Sequence, residues 1–278
     1  MDPALLAVLA VGAGALIGLS LGALGGGGSI LAVPVLVYLL DQSPAQATTG
    51  SLVVVGVTSL AGAVSAHRQG NVLLGRGVVF GVVAIGGAAA GAKGAAAVSE
   101  DVLLASFAAL MLLVGALMAW RRLGHGDPTK PDRGDRPGLD DPIITFSPSF
   151  GCNCPRALKV LVTATAVGLL TGFLGVGGGF LVVPALLLAL ALPMTYAVGT
   201  SLVVITITSA SALVVRAGSG TSPDWWLVLV LTIASSVAAV LGARLADRID
   251  TDKLQGAFTL LVLGVAVYTA ARAFPALV

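Results

Sequence analysis

The sequence predicts an all-α polytopic membrane protein made of two homologous repeats in an inverted arrangement. Each repeat carries a glycine-broken short or re-entrant helix. Three observations carry this reading. The first is composition: of 278 residues, 57% are hydrophobic and 10% are charged, with a mean hydropathy of +1.02. A soluble domain carries about 25% charged residues. The second is the length of the charge-free runs. Pro3–Leu40, Gln42–Ala66, Gly77–Ala92, Val102–Trp120, Val160–Val215, Trp225–Ala243 and Leu254–Ala271 hold no charged side chain. Most of them reach or approach the ~20 residues that cross a bilayer as a helix. The third is a duplication. Leu24–Pro34 reads LGGGGSILAVP and Leu174–Pro184 reads LGVGGGFLVVP, a shift of 184 − 34 = 150 residues. Gly25/Gly175, Gly27/Gly177, Gly28/Gly178 and Pro34/Pro184 are identical pairs.

Taken in order, the first repeat covers residues 1–123 and opens with Ala4–Leu24, apolar and long enough to span. It lacks a basic n-region and reappears inside the chain, so it reads as a mature helix and not a cleaved leader. The Gly25–Gly28 break follows, because glycine costs about 1 kcal/mol relative to alanine in a helix interior. Ser29–Leu40 is too short to span and suits a half-helix, with Ser29 expected as its N-cap. Ala45–Ala66, Gly77–Ala97 and Asp101–Trp120 are three further spans. Residues 124–155 are rich in Gly, Pro, Asp, Arg and Lys, a hydrophilic linker with little that could form a core. Residues 156–278 are the second repeat. Ser201-Leu-Val-Val matches Ser51-Leu-Val-Val, and Thr208-Ser209 matches Thr58-Ser59, at the same shift of 150. Trp225 and Trp226 read as interfacial anchors.

Parity decides how the repeats are related. If the glycine break and short helix return the chain to its starting side, each half crosses an odd number of times and the halves are inverted. If Ala4–Leu40 is one broken crossing, the halves are parallel. Outside the linker, the inverted scheme gathers Arg68, Arg76, Arg121, Arg122, Arg156, Lys159, Arg244, Arg248 and Lys253 on one side. It leaves Lys93, Arg216 and Arg272 on the other. The parallel scheme divides them less unevenly, so the positive-inside rule favours inversion with both termini outside.

Paired glycine breaks at matching places in two halves point to a transporter's binding site at the bilayer midplane. Helix N-termini freed by such breaks offer N–H groups and the positive dipole end to an anion. The expected substrate-binding residues are Gly25, Gly27, Gly28 and Ser29 with Gly177, Gly178 and Gly179, supported by the hydroxyls of Thr49, Ser51, Thr200 and Ser201. The competing reading is that these glycines only let helices pack closely, as small residues do in lipid. The clusters lack the GxxxxGK[ST] pattern of a phosphate loop. No Asp, Glu, Lys or Arg lies near the middle of a span, which argues against a carboxylate proton relay. There is no basic tract suited to nucleic acid, and nothing resembles a catalytic triad. Cys152 and Cys154 supply at most half of a tetrahedral zinc site. No catalytic residue, metal or cofactor is therefore expected.

The pair LGGGGSILAVP…TTGSLVVV and LGVGGGFLVVP…VGTSLVVI resembles the TauE/SafE family of sulfite exporters over nearly the whole chain apart from the linker. That resemblance implies a multi-pass protein of the cytoplasmic membrane that moves a small sulfur-containing anion, such as sulfite or sulfoacetate. It carries the site onto the two glycine motifs and onto Thr49, Ser51, Thr200 and Ser201 only. The implied partners are that anion and the lipid bilayer, with a homodimer compatible with the chain. Uptake of sulfate or thiosulfate on the same fold, and a thiol-handling membrane protein using Cys152 and Cys154, are the alternatives.

Overall fold

The computed structural model describes residues 3–95, 106, 109–117, 120, 144–145, 151–152, 154–174, 179–188, 190, 192–216, 223–246, 249, 253, 256–260, 262–265 and 267. Helix α1 (Pro3–Leu24) ends at Gly25, whose φ of +73° is the left-handed turn that glycine adopts without strain. Helix α2 (Gly27–Pro34) runs into a π-helical turn, Val35–Leu39. Together they are about 20 Å long at 1.5 Å per residue, short of a 30 Å hydrocarbon core. Gly28 packs on Ile17 and Leu21 of α1, so the chain doubles back alongside its own first helix.

Helix α3 (Pro44–Arg68) starts from a capping box, in which Gln46 N–H donates to Ser43 Oγ at 3.4 Å and Ser43 N–H to Gln46 Oε1 at 3.3 Å. Pro44 follows the cap, where its missing N–H is harmless. Helix α4 (Leu74–Ala95) follows after a short turn. In the linker, Ile144–Thr145 pairs antiparallel with Gly151–Cys152. Helix α5 (Cys154–Leu174) begins two residues inside the expected linker. Then come α6 (Gly179–Leu188), which contains Pro184, α7 (Met194–Arg216) and α8 (Trp225–Ala246). Four described stretches are long and apolar enough to cross a membrane: Gln46–Arg68, Leu74–Gly94, Met194–Val215 and Trp225–Ala246.

Side-chain placement is that of a protein in lipid. Val82, Val214, Ile233 and Val237 point outward, while Thr58, Ser59, Thr200, Ser201, Ser209 and Ser235 are fully buried. Outside a bilayer this would expose an apolar surface that soluble monomers avoid.

Glycine contacts fix the direction of each helix. Gly14, Gly18 and Gly22 meet Leu231, Ser235 and Ala239 in turn, so α1 and α8 run parallel. Gly168 and Gly172 meet Ala84 and Ala88, so α5 runs parallel to α4. These two seams repeat each other, since Gly18 and Gly22 match Gly168 and Gly172 at the shift of 150. Gly50 against Val228, and a 2.7 Å hydroxyl pair between Thr58 and Ser235, align α3 with α8. Gly77 against Val203, and Gly81 against Ile207, align α4 with α7. By contrast, Gly56 meets Ser209 and Gly62 meets Leu202, so α3 and α7 are antiparallel. One end of the bundle therefore holds His67, Arg68, Arg76, Lys159 and Arg244. The other holds Lys93 and Arg216.

Matched positions also make matched hydrogen bonds. Gln42 N–H donates to the Leu36 carbonyl and Leu192 N–H to the Leu186 carbonyl, at 3.0 and 3.1 Å. Ser51 donates to Thr48 and Ser201 to Val198, at 2.9 and 2.7 Å. These two pairs of positions, each 150 residues apart, thus have the same local hydrogen bonding.

Candidate functional site

Helices α2 and α6 both begin beside the middle of α7 and meet there. Gly26 is the N-cap of α2, and a Cβ added to it would overlap the carbonyl of Gly179, the first described residue of α6. On Gly179, an added Cβ would lie 2.5 Å from Ser29 Oγ, 3.0 Å from Ser29 Cβ and 3.1 Å from Ile205 Cδ1. Ser29 and Gly179 are matched positions of the duplication, 150 residues apart, and they face each other. Two side chains do not fit across such a contact, which explains why one copy has serine and the other glycine.

Gly25 faces α6 and α7. A Cβ there would meet Ser201 Oγ at 2.6 Å, Val183 Cγ2 at 2.9 Å and Val198 Cα at 3.3 Å. Gly25, Ser29, Gly179 and Ser201 are therefore brought together, with Ser29 and Ser201 both buried. Gly26, which is not among the expected binding residues, joins them. The signal for it was the unbroken run of four glycines.

Other expected residues lie elsewhere. A Cβ added to Gly27 would lie 3.5 Å from the Phe258 ring, and Gly28 packs on Ile17 and Leu21 of α1. Thr200 Oγ1 accepts the Leu73 N–H at 3.2 Å and so fastens the approach to α4. Gly177 and Gly178 lie outside the described residues. Thr49 and Ser51 are buried on α3, but at another depth. Leu202 sits beside Gly62, eleven residues beyond Ser51 (62 − 51 = 11), or about 16 Å along the helix. Ser51 and Ser201 thus lie at different depths along the α3–α7 pair.

The expected N-cap role of Ser29 is replaced by another. Ser29 is the third residue of α2, and its hydroxyl donates to the Gly26 carbonyl at 2.7 Å. The protons of Ser29, Ser51 and Ser201 all go to carbonyls three residues back. In this conformation each offers only its lone pairs to a further partner. Ser59 and Ser209, also matched positions, are buried at the α3–α7 crossing without a hydrogen-bond partner. An unpaired buried hydroxyl costs about 1–3 kcal/mol. Among the described residues, charged side chains are confined to helix ends and loops.

The sequence profile of the family described as "Sulfite exporter TauE/SafE" matches residues 10–269. The chain belongs to the TauE/SafE family. A "Probable membrane transporter protein" of Xylella fastidiosa (strain 9a5c) is 31% identical over 98% of this chain and 97% of its own length. The YunE and YdhB proteins of Bacillus subtilis (strain 168), both named probable membrane transporter proteins, are 27% and 25% identical, over 88% and 82% of this chain and 88% and 84% of their own lengths. No solved structure matches the chain. This TauE/SafE protein is a multi-pass membrane transporter.

Replacing Ser201 by alanine is expected to weaken anion binding about ten- to a hundredfold, the worth of one hydrogen bond to a charged group. Isothermal titration of folded, monodisperse protein with sulfoacetate measures it. Affinity within twofold of the parent would remove Ser201 from the site.

Proposed function

We propose that this TauE/SafE protein exports a small sulfur-containing anion, sulfite or an organosulfonate such as sulfoacetate, across the cytoplasmic membrane by alternating access. The observation that carries the reading is the meeting of the α2 and α6 N-termini at Gly26 and Gly179, deep in the bundle and flanked by Ser29 and Ser201. Two positive helix ends and hydroxyls stabilise an anion without a buried arginine. The repeats are inverted, a reading supported by the antiparallel run of α3 and α7, whose sequences match at the shift of 150. The gathering of basic residues at one end supports that end as cytoplasmic.

Ser201 and Ser51 form two half-sites on either side of the glycine contact. Rocking one repeat against the other opens them in turn. An inside-negative potential drives an anion outward by about 2.3 kcal/mol per charge per 100 mV, so export needs no buried proton carrier.

The test is flux of radiolabelled sulfite and sulfoacetate in liposomes holding only this protein. Expected are saturable flux and a rise in melting temperature with the transported anion. Flux of sulfate or thiosulfate alone overturns the substrate assignment, and no flux of any of the four overturns transport of sulfur anions. Replacing Cys152 and Cys154 together by serine is expected to leave flux within about twofold. Abolished flux from a folded, inserted double variant would place the thiols in the mechanism.

A further inference from the structure

We propose that a crevice at the basic end of the bundle is the closed mouth of the anion's path to Gly25 and Ser201, with Gln69, Asn71 and Thr195 as its first polar contacts. The inference rests on the anion-transport reading above. The crevice has a volume of about 20 Å³, room for about one water. Besides those three polar residues, its walls are small: Gly22, Ala66, Gly199, Ala243 and Ala246. Small side chains let helices close over a passage and part again without rotamer rearrangement.

Two walls lead inward. Val198 lines the crevice, and its Cα lies 3.3 Å from where a Cβ on Gly25 would stand. Gly22, in the last turn of α1, lines it three residues before Gly25. The crevice thus shares a wall with the Ser201 half-site, and not with the deeper Ser51.

Its rim suits an anion. His67, Arg68 and Arg244 stand on the two helices that supply Ala66, Ala243 and Ala246. Arg76 opens α4 just beyond the Gln69–Asn71 turn. Among the described residues the acidic ones are Asp41 and Asp224, both at the opposite end. A low-dielectric cleft rimmed by cations raises the local anion concentration. Thr195 adds the first turn of α7, a helix of 23 residues whose positive dipole end opens on the crevice.

The test places Thr195→Cys in a chain whose Cys152 and Cys154 are serine, with Arg68→Cys and Asp224→Cys as markers of the two ends. Right-side-out and inside-out vesicles are treated with a membrane-impermeant anionic thiosulfonate. Sulfoacetate is the competing anion, because sulfite itself attacks the reagent. Thr195→Cys is expected to react only from the side on which Arg68→Cys reacts. Sulfoacetate is expected to slow the reaction severalfold, and modification to cut flux at least tenfold. A thiol that reacts from neither side, or only from the Asp224 side, overturns the proposal. Ala246→Cys serves as the second position if Thr195→Cys does not elute as a monodisperse protein.

Sidedness is read without transport. Labelling from the Arg68 side in a protein that moves no sulfur anion overturns the substrate reading and supports the mouth. Intact sulfoacetate flux with both thiols inert overturns the mouth alone.

Discussion

Gly179→Ser is expected to lose at least a hundredfold of flux, and Ser29→Gly in the same chain is expected to recover most of it. The reasoning is local. A Cβ at position 179 would stand 2.5 Å from Ser29 Oγ, closer than real Cβ contacts come, and 3.0 Å from Ser29 Cβ, tighter than most of them. Both obstacles belong to one side chain, and Ser29→Gly removes them together. What remains is Ile205 Cδ1 at 3.1 Å, the far end of a side chain that can turn aside. The double variant simply moves the serine from one repeat to its matched position in the other. Gly26→Ala is the contrasting case. Its Cβ would overlap the Gly179 carbonyl, which is backbone, so no single side-chain change relieves it. Overpacking of this kind costs about 1–3 kcal/mol even where neighbours give way. The measurement is sulfoacetate flux at equal amounts of folded protein in liposomes. If Gly179→Ser transports normally, the two short helices are not in contact in the working protein. If the double variant stays inactive while folded, the serine is needed on the first repeat for its chemistry and not only for its fit.

Much of this architecture was legible from residues that break patterns. The Gly25–Gly28 run interrupts an apolar stretch, and α1 indeed ends at Leu24 with Gly25 in a left-handed turn. Ser29–Leu40 was too short to span, and α2 with its π-helical turn covers nearly the same residues. Those features are local, and local chemistry reads well. What did not read was depth. Ser51 and Ser201 match in sequence, and matching suggested one ring of donors. In antiparallel helices, however, matched positions are carried apart in proportion to their distance from the crossing point. Gly56 and Ser209 lie near that crossing, whereas Ser51 and Ser201 lie well to either side of it. Position 29, by contrast, meets its own match, which no local pattern could reveal. Gly28 shows a related limit: a glycine that admits a ligand and one that admits a neighbouring helix have the same sequence signature, and Gly28 sits against Ile17 and Leu21.

The helix seams give the second large effect. Gly18→Val and Gly168→Val are each expected to prevent recovery of folded protein, while Gly12→Val and Gly86→Val leave the melting temperature within a few degrees. In α1, a Cβ on Gly18 would overlap the backbone of Ser235. In α5, one on Gly168 would overlap the backbone of Ala84. Lipid offers no hydrophobic drive for helices to associate, so close backbone approach through small residues supplies much of the packing energy. A valine at either place separates the axes along the whole seam, including the next turn at Gly22 or Gly172. Gly12 and Gly86 lie on the same helices as the seam glycines or their partners, yet an added Cβ there meets nothing within 4 Å. Any loss in those controls reports only the change in helix propensity. Size-exclusion profile and melting temperature in detergent separate the cases. Because the two seams are matched copies, equal damage from both is part of the expectation. A folded Gly18→Val protein beside an unfolded Gly168→Val one would mean that the α4–α5 seam holds the bundle and that the contact of α1 with α8 is free to open.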